Sequence, residues 1–369
     1  MRDKYADLPD YVKAGHFKKL NKYKESLRKD PKLKSLFIEA TLRCNEHCVH
    51  CGSNCGDLVL KDEVEDKQII EALEILKEDL ILESEPLPFI SVTGGEPLLR
   101  KGLCDMMRQI HDMGYKWGMT TNGTLITEEV AKGLKNAGMY SVSISLDGYG
   151  KTHDEFRQKE GAYEEALKGF DNLIKAEIPV CMITTVVHKK NIGELDSIYE
   201  ELVLHKVKNW RIINVEPIGR ACKNKEIMLD SKDYKYVIDY IASRSDDANM
   251  DVIYSCNHYL GLPNERKVRP WYFFCRAGIQ VASIQYNGDI CACLDIERRP
   301  EFNYGNIKKD RIYDVWKNGF RVFREHKEEK SEMCKKCPEK ENCQGGGYHT
   351  WDFETNNPRI CMPKELDII

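Results

Sequence analysis

Residues 35–51 read SLFIEATLRCNEHCVHC, a short apolar run that leads directly into a loop with three cysteines. The run SLFIEAT has the length and composition of a buried strand. Five further apolar runs, each rich in β-branched residues, follow along the chain and predict further strands. They are FISVTGGEP, KWGMTTNGT, YSVSISLDG, VCMITTVV and WRIINVEP.

Helical stretches separate these predicted strands, near residues 64–82, 100–113, 127–137, 161–176 and 191–206. Alternation of strands and helices predicts an α/β fold with parallel pairing through right-handed crossovers. Six such units form either a partial barrel or an open doubly wound sheet, since a full barrel needs eight. Periodicity alone does not choose between the two.

Small or polar residues end the predicted strands. They are Thr41, Thr93-Gly94-Gly95, Thr121-Asn122-Gly123, and Ser145 with Asp147 and Gly148. Ligands of parallel α/β folds bind at the carboxyl ends of the strands. We therefore expect a binding site at this rim, beside the cysteine loop that follows the first strand.

The composition is that of a soluble globular protein, with 41% hydrophobic and 31% charged residues and a formal net charge of −4. This charge gives no sign of nucleic-acid binding. No apolar run is long enough to span a membrane, and the first ten residues are too charged for a secretory signal. We expect a cytoplasmic protein with neither a nucleic-acid nor a membrane partner.

Fifteen cysteines in a reducing compartment predict metal ligands more than disulfides. Four lie within residues 44–55 and eight between residues 256 and 361. Strand–helix alternation is predicted to stop after about residue 230, where a cysteine-rich tail would need metal to hold it together. The predicted division is a basic segment at 1–34, an α/β domain at 35–230 and a cysteine-rich domain at 231–369.

Cys44, Cys48 and Cys51 place three thiolates in one loop. Three thiolates on a four-iron cubane leave one iron without a protein ligand, and soft ligands favour iron–sulfur or zinc. A structural zinc site would need a fourth ligand nearby. Cys55, His47 or His50 could supply it.

The spacing Cys44-x3-Cys48-x2-Cys51 resembles the signature loop of the radical S-adenosylmethionine (SAM) superfamily. Gly94-Gly95-Glu96-Pro97 resembles that family's glycine-rich motif, which binds the amino group of the methionine moiety. Ser145 and Asp147 resemble residues near the ribose and carboxylate, and Thr121 and Asn122 share their rim. The resemblance covers residues 35–220 and implies a partial (βα)6 barrel.

The resemblance also implies a cofactor set and a reaction. A [4Fe-4S] cluster would hold SAM at its open iron, and a reducing partner such as flavodoxin or ferredoxin would supply an electron. Cleavage of the sulfonium–carbon bond would give methionine and a 5′-deoxyadenosyl radical, which abstracts hydrogen from a substrate. The protein would position the cofactor and exclude water.

The C-terminal cysteines resemble the SPASM extension, which carries auxiliary iron–sulfur clusters, although a zinc ribbon could also use part of this set. The resemblance assigns Cys334, Cys337, Cys343 and Cys361 to a distal cluster, and Cys275 with Cys293 to a nearer one. Gly347 stands where the pattern expects a further cysteine. Cys291 or Cys256 could replace that ligand, or the nearer cluster has an open iron or fewer irons.

SPASM-type enzymes commonly modify peptides, so the resemblance implies cross-linking, thioether formation, epimerisation or oxidation of a ribosomally made peptide. The alternatives are formylglycine-type sulfatase maturation and maturation of a peptide-derived redox cofactor. A non-catalytic iron–sulfur or zinc protein is the alternative from another class. Cys222, just past the sixth strand, is a candidate hydrogen donor to a substrate radical.

The first 34 residues carry eleven Lys or Arg against five Asp or Glu. Residues 11–29 predict a helix with Phe17, Leu20 and Tyr23 along one side. This helix either packs on the protein with a solvated basic face or contacts an acidic partner. The segment is too short for an additional leader-peptide-binding domain.

Overall fold

The computed structural model describes residues 9–57, 61–255 and 258–369. Within these ranges ten strands form one sheet, and two short strands pair separately. The strands are β1 (Ser35–Glu39), β2 (Phe89–Thr93), β3 (Trp117–Thr121), β4 (Met139–Ser145), β5 (Val180–Val187), β6 (Asn209–Asn214), β7 (Asp251–Tyr254), β8 (Val281–Ile284), β9 (Asp289–Cys291), β10 (Gly305–Asn306), β11 (Trp351–Asp352) and β12 (Asn357–Pro358).

Helices occupy the connections and much of the C-terminal part. The α-helices are α1 (Asp10–Lys29), α2 (Asp66–Leu82), α3 (Leu103–Asp112), α4 (Glu128–Asn136), α5 (Lys151–Arg157), α6 (Ala162–Lys175), α7 (Leu195–Leu204), α8 (Ser231–Ser243), α9 (Ile312–Asn318), α10 (Arg321–Arg324), α11 (Glu332–Lys335), α12 (Lys340–Cys343) and α13 (Met362–Glu365). Short 3-10 helices span Pro97–Leu99, Ile192–Glu194, Gly219–Lys223, Lys225–Ile227, Pro300–Phe302, Lys327–Lys330 and Tyr348–Thr350.

The sheet order is β10-β9-β8-β1-β2-β3-β4-β5-β6-β7, with parallel pairing from β1 through β7. The predicted α/β class, a partial (βα)6 barrel followed by a SPASM-type region, is confirmed. The expectation that alternation stops near residue 230 is wrong, because α8 leads into β7, a further parallel strand. At the other edge, β8 pairs parallel with β1. The domain boundaries stay predictions.

The sheet is buried because its strands carry bulky apolar side chains and the polar atoms of those side chains find partners. Trp117 and Trp210 are fully buried. The indole of Trp117 donates to the carbonyl of Ala137 at 2.8 Å, and that of Trp210 to Thr185 Oγ1 at 2.8 Å. Satisfied indole groups let these large rings stabilise the core without a buried unpaired donor.

The end of β2 lies directly against the start of the cysteine loop. The amide of Gly95 donates to the carbonyl of Thr41 at 2.7 Å. A Cβ on Gly94 would lie 2.3 Å from that same carbonyl oxygen, and a Cβ on Gly95 would lie 2.1 Å from the carbonyl oxygen of Arg43. Gly94 also has a φ of +141°. Two glycines are therefore required for this close approach.

Helix α1 packs on the C-terminal part of the chain. Phe17 is 1% exposed and contacts the rings of Tyr259 and Tyr272. Lys24 Nζ donates to the carbonyl of Asn342 at 3.3 Å. Tyr23, predicted to lie on the same apolar side, is 49% exposed. The first of the two interpretations of this helix, packing on the protein, is confirmed.

No helix in the part of the chain that the structure describes is both long and apolar enough to cross a membrane.

Gly95→Ala is expected to destabilise the protein by about 1–3 kcal/mol, because the new methyl group overlaps the carbonyl of Arg43. Gly193→Ala is the matched control, since a Cβ there meets no heavy atom within 4 Å. Denaturant unfolding of the anaerobically purified protein measures both changes. Equal unfolding free energies for the two variants would contradict the packing role given to Gly95.

Candidate functional site

A cavity of about 570 Å³ lies at the carboxyl ends of the strands, and it is called the central cavity below. It brings together most of the residues that the sequence singles out. Its lining includes Cys44, Cys48, Cys51, Gly94, Gly95, Thr121, Asn122, Ser145, Cys275 and Cys293. Glu96, Pro97 and Asp147, also predicted to contact SAM, do not line it.

The three cysteines of the first loop suit an iron–sulfur cluster, because their soft sulfur atoms face one cavity. Burial raises the pKa of Cys44 to about 11 and raises the pKa of Cys48 further. The thiol of Cys55 donates to the sulfur of Cys51 and lowers the pKa of Cys51 to about 5. The amide of Cys55 also lies 3.4 Å from that sulfur. Cys55 thus stabilises the thiolate of Cys51 from outside the triad.

The two histidines weighed as zinc ligands lie in different places. His47 is exposed and does not line the central cavity, whereas His50 does. The His50 ring stacks on Phe156 with a centroid distance of 4.4 Å, and Phe156 stacks on His188 at 3.7 Å. Burial lowers the pKa of His50 to about 3, so the ring is neutral. This aromatic stack fixes the wall of the cavity beside Cys51.

Arg220 holds the cysteine loop from the connection after β6. Its Nε donates to the carbonyl of Cys48 at 2.7 Å, and its Nη1 donates to the carbonyl of Cys55 at 2.6 Å. Gly219, with a φ of +54°, allows the approach because a Cβ there would lie 2.3 Å from the carbonyl of Cys51. The sequence analysis missed Arg220, although Gly219-Arg220 just past a predicted strand was a usable signal.

A buried ionic group lies behind Cys48. Arg157, at the end of α5, lies 3.3 Å from a carboxylate oxygen of Glu46 and 3.6 Å from the Cys48 sulfur. Its other terminal nitrogen lies 2.5 Å from Asp147 Oδ2, while Asp147 Oδ1 accepts from the amide of Val186 at 2.7 Å. Burial alone would raise the pKa of Asp147, but the Arg157 charge holds it below its usual value.

The structure does not place Asp147 in the lining of the central cavity, and its predicted contact with SAM stays a prediction. It is fully buried, and both carboxylate oxygens have protein partners. Its observed contacts orient Arg157, which in turn contacts the Cys48 sulfur. The role is one of positioning the cluster loop.

Glu96, in the glycine-rich motif, connects the ends of β2 and β3. Its carboxylate accepts from the amides of Leu98 at 3.1 Å and Asn122 at 2.9 Å, and from the Thr121 hydroxyl at 2.8 Å. Burial raises the pKa of Glu96 to about 7. The Asn122 side chain donates to Asn45 in the cysteine loop at 2.8 Å. The Glu96 carboxylate therefore links the ends of β2 and β3 without lining the central cavity itself.

A second cavity, of about 290 Å³, holds the four C-terminal cysteines and is called the distal cavity below. Cys334, Cys337, Cys343 and Cys361 all line it. Burial, together with the three neighbouring thiols, raises the pKa of Cys343 to about 12. Four thiols that line one cavity suit the predicted distal cluster, since metal binding deprotonates them.

The two cysteines assigned to the nearer cluster line the central cavity, together with Asp295, Gly347 and His349. Cys291 lies elsewhere: it is buried beside Gln285 and Arg298, and its thiol donates to the carbonyl of Cys293 at 3.8 Å. Cys256, the other replacement considered, lies outside the described residues. The structure thus supplies two thiols at this position and oxygen and nitrogen donors beside them.

Buried cations lie between the two groups of C-terminal cysteines. Lys327 contacts the rings of Tyr348 and Trp351 and donates to the carbonyl of Gly346 at 2.8 Å. Burial lowers the pKa of Lys327 to about 8, while Cys275 and Cys343 oppose that shift. A buried ammonium needs negative charge nearby, and thiolate-bound clusters held by Cys275 and Cys343 would supply it.

Cys222 is exposed, and its thiol donates to the carbonyl of Pro217 at 2.8 Å. It is not among the residues that line the central cavity. The structure therefore does not bring this predicted hydrogen donor to the reacting groups.

Two family models match the chain. The radical SAM superfamily matches residues 38–202, and the iron–sulfur cluster-binding SPASM domain matches residues 275–338. Fe-coproporphyrin III synthase of Methanosarcina barkeri is 28% identical over 295 residues, with 75% of this chain and 71% of the relative covered. Mycofactocin maturase MftC of Mycolicibacterium smegmatis is 28% identical over 313 residues, covering 84% and 76%.

Solved structures share the fold. Streptococcus suis SuiB bound to S-adenosylmethionine has a TM-score of 0.69 at 18% identity, covering 90% of this chain and 77% of SuiB. SuiB bound to its precursor peptide SuiA has a TM-score of 0.65 at 20% identity, with 90% and 76% covered.

Arg157→Met is expected to cost about 3–5 kcal/mol of stability, because Glu46 and Asp147 lose their buried counter-charge. Iron retained per chain should fall as the cysteine loop loosens. Arg108→Met is the control, since Arg108 is half-exposed and pairs with an exposed aspartate; it should cost less than about 1 kcal/mol. Unfolding free energies and iron content that do not distinguish the two variants would contradict the role of Arg157.

The Glu96 carboxyl should make the free energy of unfolding fall as pH rises. Its folded pKa of about 7 lies above its usual value of 4.5. The folded state therefore holds the proton more tightly, and the stabilisation is complete below about pH 4.5 and is lost as pH rises toward 7. Over this window the stability of the wild type relative to Glu96→Gln should fall by up to about 3 kcal/mol.

Denaturant unfolding of the reconstituted protein at about pH 5 and about pH 8 measures this difference. Glu164→Gln, at an exposed position on α6, should leave the pH dependence of the wild type intact. A Glu96→Gln curve parallel to that of the wild type would mean that the carboxyl does not titrate as described.

Proposed function

The chain belongs to the radical SAM superfamily, in its SPASM-domain subgroup, and we propose that it uses SAM-derived radical chemistry to modify a ribosomally made peptide. When bound, the cluster and SAM supply a 5′-deoxyadenosyl radical that abstracts hydrogen from the substrate. One observation carries the proposal. The central cavity is lined both by the cysteine loop and by Cys275 and Cys293.

This shared cavity suits an oxidative modification. A substrate placed between the rim and Cys275 would lie within reach of the radical on one side and of an auxiliary cluster on the other. Such a cluster can accept the electron that a substrate radical must lose. The products that fit such an electron transfer are a cross-link, a thioether or an oxidised residue, whereas epimerisation would instead need a hydrogen donor.

The side chains at the rim have different roles in the proposed SAM site. Thr121 and Asn122 already donate to Glu96 and Asn45, so they shape the rim more than they reach into it. Ser145 is half-buried and lines the cavity, and its hydroxyl has no hydrogen-bond partner among the described side chains. We assign Ser145, with the backbone of Gly94 and Gly95, to SAM binding.

The lining also suits a peptide. Phe273 and Phe274 give the cavity an apolar wall, while Arg276 and Asp295 present charges of opposite sign. A peptide carries apolar and charged groups of both signs, and such a surface can bind each of them. The same fold holds a precursor peptide in SuiB.

A second candidate is an iron porphyrin. Fe-coproporphyrin III synthase is among the relatives, and the cavity offers a cation for a porphyrin carboxylate. Arg276 is exposed at the cavity and forms no ion pair with any residue that the structure describes. Arg276→Gln would therefore weaken binding of an iron porphyrin if that were the substrate.

The test uses anaerobically reconstituted protein with dithionite, SAM and each short peptide that a neighbouring open reading frame is found to encode. We expect 5′-deoxyadenosine and a mass change in the peptide. Cys48→Ala should form neither product, because the cysteine triad is broken. Cys222→Ala, the same substitution outside the cavity, should form both at the wild-type level.

Each other outcome has a definite meaning. Unchanged 5′-deoxyadenosine in Cys48→Ala would show that the site is assigned to the wrong residues. A third outcome is formation of 5′-deoxyadenosine without peptide modification, together with a shifted Soret band when iron coproporphyrin is added. It would indicate that the substrate is a porphyrin and not a peptide. An iron content of about four atoms per chain, instead of about twelve, would show that the protein carries no auxiliary clusters.

A further inference from the structure

One carboxylate and two imidazoles meet in the wall between the central and distal cavities. Glu216 follows β6 by two residues, and His349 lies in the 3-10 helix Tyr348–Thr350. Both line the central cavity. His258 follows β7 and lines the distal cavity.

The three side chains have the geometry of metal ligands. One donor atom from each lies within 4.8 Å of the other two. His258 Nε2 and Glu216 Oε1 are 2.7 Å apart. Two ligands that lie about 2.0–2.2 Å from one tetrahedral zinc ion are ~3.3–3.6 Å apart, so this pair must separate by ~0.6–0.9 Å to bind the same ion.

Two of the donor atoms lack partners inside the protein. Glu216 Oε2 and His349 Nε2 are buried, and neither has a hydrogen bond to any of the described residues. The Glu216 side chain is 7% exposed. A buried polar atom without a partner costs about 1–3 kcal/mol, so a ligand shared by these atoms would remove that cost.

The surroundings hold His258 in place. Its carbonyl accepts from Arg269 at 2.7 Å, and Arg269 is fully buried and ion-paired with Glu265. Arg269 therefore fixes the backbone at His258, while the imidazole itself is positioned by its hydrogen bond with Glu216.

We propose that Glu216, His258 and His349 bind one divalent transition-metal ion, of the zinc or ferrous iron class. Two imidazoles with one carboxylate are the donor set of many such sites, and three protein ligands leave a coordination position open. Glu216 and His349 line the central cavity, so a substrate heteroatom there could reach the ion. The three ligands include no cysteine, and the proposal does not depend on which substrate is modified.

The test loads the cluster-reconstituted protein with Zn²⁺, removes loose metal by gel filtration, and measures zinc content and the zinc K-edge EXAFS. We expect one zinc per chain with nitrogen and oxygen ligands at about 2.0–2.1 Å and imidazole scattering. Glu216→Ala and His349→Ala should each lower zinc affinity by about tenfold or more while iron content stays constant. His205→Ala, at a histidine that follows α7 and contacts Asp171 and Glu201, should retain the zinc.

Three results would overturn the proposal. The first is wild-type protein that retains no zinc, because Glu216 and His258 would then form a hydrogen-bonded pair and nothing more. The second is a sulfur shell at about 2.3 Å, which would place the zinc on cysteines. The third is a loss of iron in His349→Ala, which would make His349 a ligand of the nearer cluster. The EXAFS of the wild type decides the second case even if a variant fails to fold.

Discussion

The close contact between the end of β2 and the start of the cysteine loop is the constraint on which the site depends. Gly94 and Gly95 let the β2 backbone lie against the carbonyls of Thr41 and Arg43, where any Cβ would overlap. Arg220 holds the other end of the loop through two of its carbonyls. Because both ends of the cysteine loop are fixed, its three thiols face one cavity although they lie on neither a helix nor a strand.

Buried charged side chains then stabilise the cysteine loop that these backbone contacts position. Arg157 brings together two buried carboxylates and the Cys48 sulfur, so the loop is tied to α5 and to the end of β4. Lys327 has a corresponding place between Cys275 and Cys343. Buried cations beside thiolates stabilise the charged state that iron binding requires. The sheet itself joins the two regions, because β8 pairs with β1 directly before the cysteine loop.

Local sequence patterns predicted the six strand–helix units and the cysteines that share the central and distal cavities, since period, spacing and loop position are local properties. They did not reveal the contacts that depend on distant residues. Asp147 and Glu96 sit at predicted rim positions, but Arg157 and Thr121 occupy their carboxylates. Cys222 follows a rim strand, yet its turn directs the thiol to a carbonyl outside the cavity. The extra strand pairs at both sheet edges join residues far apart in sequence.

The central claim is that one iron of the first cluster has no protein ligand and binds SAM, although Cys55 lies beside Cys51. Electron–nuclear double resonance of the reduced cluster with SAM labelled with ¹⁵N at its amino group tests this directly. The account predicts a ¹⁵N coupling from direct coordination, retained when Cys55 is replaced by serine. The absence of this coupling in the wild type and its appearance only in Cys55→Ser would contradict the account, because Cys55 would then be the fourth ligand.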